Sequence, residues 1–97
     1  MLKHIVMWKL KEDEQKEQNA LTIKELLEGL VGKIPELKKA EVGININRSD
    51  TAYDVVLYSE FDDEAGLAAY QSHPEHVKVG EFMKEIREKR TVVDYIL

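Results

Sequence analysis

Hydrophobic residues recur along this chain in two rhythms, and the switches between them mark its elements. Residues 2–10, "LKHIVMWKL", hold Ile5, Val6, Met7 and Trp8 in one unbroken apolar block. A block this short and β-branched predicts a strand buried on both faces. Over residues 13–33 the step lengthens to three and four: Ala20, Ile23, Leu26, Leu27, Leu30, Val31 and then Ile34 repeat, with Glu and Lys between them. That spacing predicts an amphipathic helix, closed by Pro35. Alternation by twos returns in "EVGININ" (41–47) and "AYDVVLYSEF" (52–61), separated by the polar "RSDT", and predicts a hairpin. Asp62 or Asp63 then caps a short helix, "DEAGLAAYQ". Pro74, suited to a first helical turn, opens another that runs through "EHVKVGEFMKEIREKR". The closing "TVVDYIL" (91–97) predicts a last strand.

The order strand, helix, strand, strand, broken helix, strand has a natural solution in the α+β class. It is a ferredoxin-like four-stranded antiparallel sheet with the helices on one face. A monomer of this shape leaves the other face in water, where every second position should be polar. The strands depart from that pattern: Ile5 and Met7 oppose Val6 and Trp8, Val55 and Leu57 oppose Val56 and Tyr58, and Val93 and Tyr95 oppose Val92 and Ile96. Exposing six or more such side chains forgoes roughly 1.5–3 kcal/mol apiece. A second copy packed face to face is the simplest cover, so the expected assembly is a homodimeric α+β barrel with its helices outside.

Composition narrows the possibilities further. Ninety-seven residues suit a single domain, 1–97, around one core. The 14 Lys and Arg are interspersed among 19 Asp and Glu, for a net charge of −5, so no basic stripe is in place for nucleic acid. No apolar run approaches the roughly 20 residues that cross a bilayer; no membrane partner is expected, and the default location is the cytoplasm. Absence of cysteine removes disulfides, thiolate nucleophiles and Cys-based zinc sites.

The candidate chemistry centres on "HPEH", residues 73–76. With Pro74 in the first helical position, His76 falls in the third, where the helix dipole disfavours imidazolium and a neutral ring is expected. On the helical wheel His76 lies near Val79 and Met83, and its neighbour one turn on is Gly80, which leaves empty space beside it. Tyr70 and His4 are placed in the same region. Metal binding asks for three convergent ligands, and a three-residue His spacing broken by a helix start does not match the helical four-residue pair; neither a metal nor a cofactor is expected. Two readings remain open. One makes His76 a general base with Tyr70 or His4 as hydrogen-bonding partner. The other makes His73 a helix-start or surface residue and His76 a buried histidine bonded to backbone or Tyr70.

The stretches "HIVMWKLK", "YDVVLYSEFDDEAGLAAYQSHPEH" and "VVDY" together resemble the stress-responsive A/B-barrel (Dabb) domain family over essentially the whole chain. The resemblance implies a ferredoxin-like protomer in a barrel-forming homodimer, of unassigned specific activity, with a small and largely apolar ligand pocket. A polyketide-cyclase branch of the family implies an acid/base pair at Tyr70 and His76 and a further pocket histidine at His4. Another histidine of that branch falls on Asp54 here, a departure from the pattern. The expected site therefore comprises His76, Tyr70 and His4 as catalytic candidates, with Asp54, His73, Gly80 and Trp8 as candidate pocket residues. The alternative activity is a cofactor-independent cyclase or lyase acting on a carbonyl compound. Other ferredoxin-like dimeric barrels resemble cofactor-free monooxygenases and lyases or haem-degrading enzymes; likeness to the last group would imply an axial ligand, with His76 as the candidate.

Overall fold

A computed structural model of the chain describes residues 1–97. The elements run β1 (Leu2–Leu10), α1 (Lys16–Glu28), β2 (Lys39–Ile44), β3 (Val55–Phe61), α2 (Glu64–Ser72), α3 (Pro74–Ile86) and β4 (Arg87–Ile96). The sheet order is β2-β3-β1-β4, with every neighbouring pair antiparallel. This is the expected ferredoxin-like α+β arrangement. No helix is long and apolar enough to cross a membrane.

Alternation along the central strands divides the sheet. In β1 the even-numbered residues Leu2, His4, Val6, Trp8 and Leu10 are buried, and in β3 the odd-numbered Val55, Leu57, Ser59 and Phe61. All of these except the polar His4 and Ser59 join Ala20, Ile23 and Leu27 of α1, Leu67 and Tyr70 of α2, and Val79 and Met83 of α3 in one core. The other face carries Ile5 opposite Tyr58 and Val93, and Met7 opposite Val56 and Thr91. Val93 is 53% exposed there and Tyr95 also lies open, so the second apolar face is real. It is not apolar from end to end. Lys3 bridges to Glu60 at 2.9 Å, Tyr58 donates its hydroxyl to the same carboxylate at 2.6 Å, and Lys3 and Lys39 both lie over the Tyr58 ring.

Three stretches depart from the periodicity, each for a local reason. The first helix spans Lys16–Glu28 rather than 13–33, because Gly29 ends it and Gly32, at φ +92°, turns the chain where an L side chain would be strained. Leu30 and Ile34 still enter the core from the turns that follow, whereas Leu26 and Val31 face solvent. The hairpin strands are shorter than 41–47 and 52–61. Beyond Ile44 the Asn45 side chain accepts from Asn47 N and the Asn47 side chain from Ser49 N, so successive Asx turns replace ladder bonds and Ile46 is left 93% exposed. Of the two capping candidates Asp63 caps α2, accepting from Gly66 N. The last helix stops at Ile86 and β4 begins at Arg87, not Thr91, because Arg87, Lys89 and Arg90 pair with Leu10, Lys9 and Trp8 of β1. Long-range pairing here overrides a charge pattern that reads as a solvated helical face.

Candidate functional site

Between the helices and the covered face of the sheet lies a cavity of about 260 Å³. Its floor is apolar: Val6 and Trp8 from β1 and Leu57 from β3, with Leu27, Val79 and Met83 lining it from the helices. Into this lining project His4, Tyr70 and His76.

Two successive helices bring Tyr70 and His76 together. His73 sits between them with extended backbone (ψ 135°) and its Nδ1 accepts from Glu75 N at 3.1 Å, so one residue ends α2 and caps α3. Pro74 occupies the first helical turn, where its missing N–H is no loss. The resulting bend stacks the Tyr70 and His76 rings, centroids 4.4 Å apart and tilted 54°.

The His76 Nδ1 lies 3.1 Å from the carbonyl oxygen of Gln71. A carbonyl only accepts, so Nδ1 carries the proton and the neutral ring keeps its lone pair on Nε2. Burial holds the His76 pKa below the usual histidine value, with nearby His4 and Arg90 acting in the same direction and the Gln71 contact opposing. Tyr70 is buried, its hydroxyl pKa pushed up to about 12 by desolvation and only partly drawn back by Arg90. It is a permanent donor at neutral pH. The protein satisfies every fully enclosed side-chain polar atom, and the Tyr70 hydroxyl has no protein partner, so it opens onto the cavity.

His4 is only 2% exposed, and its Nδ1 lies 2.5 Å from Asp94 Oδ1 on the neighbouring strand β4, its register partner. The carboxylate fixes the ring orientation and directs Nε2 away from β4. The Ser59 hydroxyl donates to the His4 carbonyl at 3.0 Å, which ties the strand down beneath it. Tyr70 packs edge-on to His4 with centroids 6.4 Å apart and against Phe61 at 5.0 Å.

Of the residues singled out from the sequence, His4, Trp8, Tyr70, His76 and Gly80 line this cavity, whereas Asp54 and His73 do not. Asp54 is spent elsewhere. Its Oδ2 accepts from Leu10 N at 2.8 Å, where the register of β1 shifts, and its Oδ1 pairs with Lys16 at 3.2 Å. His73 is spent on the α3 cap. Sequence reasoning missed Asp94, Leu27 and a cationic end formed by Lys84, Arg87 and Arg90. The "VDY" ending carried the signal for Asp94; the misplaced start of β4 hid the cations.

The family model for the stress responsive A/B barrel domain matches residues 2–97. The chain belongs to the Dabb family. A dimeric protein of ferredoxin-like fold and unknown function from Bacteroides fragilis NCTC 9343 is 40% identical with a TM-score of 0.90, over 99% of this chain and 95% of that one. A dimeric ferredoxin-like protein of unknown function from Jannaschia sp. CCS1 is 25% identical (TM-score 0.83; 99% and 98% covered). A Dabb family protein from Mesorhizobium loti is 24% identical (TM-score 0.77; 99% and 95% covered) and shows the same fold. No curated protein matches the chain. Dabb membership agrees with the paired His-Pro-x-His segment and terminal Val-Asp-Tyr, which here supply Tyr70's neighbour His76 and His4's partner Asp94.

Proposed function

We propose that this Dabb protein is a homodimer that binds a small, largely apolar molecule in the cavity of each protomer, with the polar end of that molecule held by Tyr70 and His76. One observation carries the reading: an apolar cavity keeps a tyrosine hydroxyl and the Nε2 of a neutral histidine both unspent, side by side. Desolvated donors and acceptors are costly without partners, so a site of this kind suits a ligand that completes them. The dimer part rests on the open sheet face around Ile5, Met7, Val56 and Val93, and on the relatives described as dimeric.

A thermal-shift screen of small carbonyl compounds tests the binding reading. Stabilisation should vanish in His76→Ala and persist in Lys78→Ala, whose side chain is largely exposed and pairs only loosely with Glu75 at 3.8 Å. Equal stabilisation of both variants would move the ligand elsewhere.

The same pair supports a second reading, acid/base chemistry on a carbonyl compound. In this reading Nε2 of His76 takes a proton next to a carbonyl, while the Tyr70 hydroxyl donates to the oxyanion that forms. Enolisation of a bound ketone, followed as deuterium exchange at its α-carbon, distinguishes it from binding alone. Exchange should be lost in His76→Gln and reduced in Tyr70→Phe.

A further inference from the structure

The chain carries five more acidic than basic charges, yet no aspartate or glutamate lines the cavity. Three cations do: Lys84 at the end of α3, Arg87 at its cap, and Arg90 on the helix-facing side of β4 opposite Trp8. None of the three forms an ion pair, although Lys3, Lys16, Lys24, Lys38 and Lys78 all do. Asp94, further along the same strand as Arg87 and Arg90, is engaged by His4. An acidic protein that gathers three unpaired cations at one end of an apolar pocket has a field that selects for negative charge.

Their placement is also ordered. His76, Gly80 and Lys84 follow one another at four-residue steps on a single stripe of α3, and no atom lies within 4 Å of where a Gly80 side chain would begin. The space beside Gly80 therefore links the Tyr70–His76 end to the cationic end. Along the helix axis the two ends are about 12 Å apart, and flexible Lys and Arg side chains shorten that span. The positive charge of Arg90 is felt by both Tyr70 and His76.

We propose that the cavity takes a compact organic anion whose neutral polar end meets Tyr70 and His76, whose apolar body lies over Val6, Trp8 and Leu57, and whose carboxylate turns toward Lys84, Arg87 and Arg90. This rests on the reading of the cavity as a ligand site and adds the charge of the ligand. Planar guanidinium groups match the two oxygens of a carboxylate and bind it more strongly than a neutral amide.

The test uses calorimetric titration of the full-length protein with hexanoate and phenylacetate, each paired with its neutral amide. The carboxylates should bind about tenfold more tightly than the amides, the factor that one charge-assisted hydrogen bond supplies. In the triple variant Lys84→Gln/Arg87→Gln/Arg90→Gln that preference should disappear while amide affinity stays within about twofold. Added sodium chloride should weaken hexanoate binding to the unaltered protein and leave hexanamide binding unchanged, a readout that survives even if the triple variant folds poorly. Equal affinity for acid and amide would overturn the anion assignment and leave the ligand site standing. A preference that persists in a folded triple variant would overturn it too. Binding of none of the four compounds would remove the anion assignment, whereas the screen of neutral carbonyl compounds on His76→Ala judges the site independently.

Discussion

Tyr70 and His76 stack at 4.4 Å across a helix break that is only one residue long. The relationship is fixed by His73 and Pro74 between them, since the imidazole of His73 caps the second helix and the proline starts it. The site is thus a consequence of how the chain changes direction, and its two polar groups stay unspent because neighbouring backbone is satisfied by other atoms.

Tyr70→Phe separates function from packing. The ring packs against Phe61 and His76, but the hydroxyl bonds to nothing in the protein. Folding stability in urea should change by less than about 1 kcal/mol, while affinity for a carbonyl ligand drops severalfold. Tyr70→Ala, by contrast, should cost about 3–5 kcal/mol through the cavity it leaves.

Acid should act through His76. Its folded-state pKa lies below the ordinary 6.5, so the unfolded chain binds the proton more readily. The stability that the neutral ring provides is complete above pH 6.5 and is lost as pH falls toward the depressed folded-state value. Denaturation midpoints measured downward from neutrality should fall less steeply in His76→Gln than in the parent protein.

Gly80→Ala offers a gain in stability with a loss of binding. The added methyl meets no atom within 4 Å and replaces the least favourable ordinary helix residue. Stability should rise by about 1 kcal/mol, or roughly 5 °C in melting temperature, whereas ligand affinity falls because the methyl narrows the cavity. An unchanged affinity would place the ligand away from this stripe of α3.

Assembly is tested at Val93, which is paired with Ile5 on the open face and does little for the protomer's own core. Val93→Asp should convert a dimer to a monomer in sedimentation velocity. A parent protein that sediments as a monomer at micromolar concentration would remove the dimer from the proposal.

Much of this architecture was legible because the strands bury side chains by twos and the helices by threes and fours. The blocks around Ile5–Trp8 and Val55–Tyr58 marked both central strands and hinted at two faces. The fold brings His76, Tyr70, His4, Trp8 and Gly80 to the lining of one cavity. Asp54 escaped because nothing local announces a carboxylate bonded to a main-chain N–H 44 residues away. The cations were hidden for a related reason. "KEIREKR" has the charge spacing of a solvated helix, and only pairing with Trp8, Lys9 and Leu10 turns its second half into a strand that delivers Arg87 and Arg90 to the cavity.

His76 presents a bare Nε2 to the cavity beside the Tyr70 hydroxyl. The ring-nitrogen NMR spectrum of protein carrying 15N-histidine, recorded at pH 7.5, reads this without any ligand. A neutral His76 with its proton on Nδ1 and an unprotonated Nε2 is expected. A ring protonated on Nε2 instead, or an imidazolium at that pH, would contradict it.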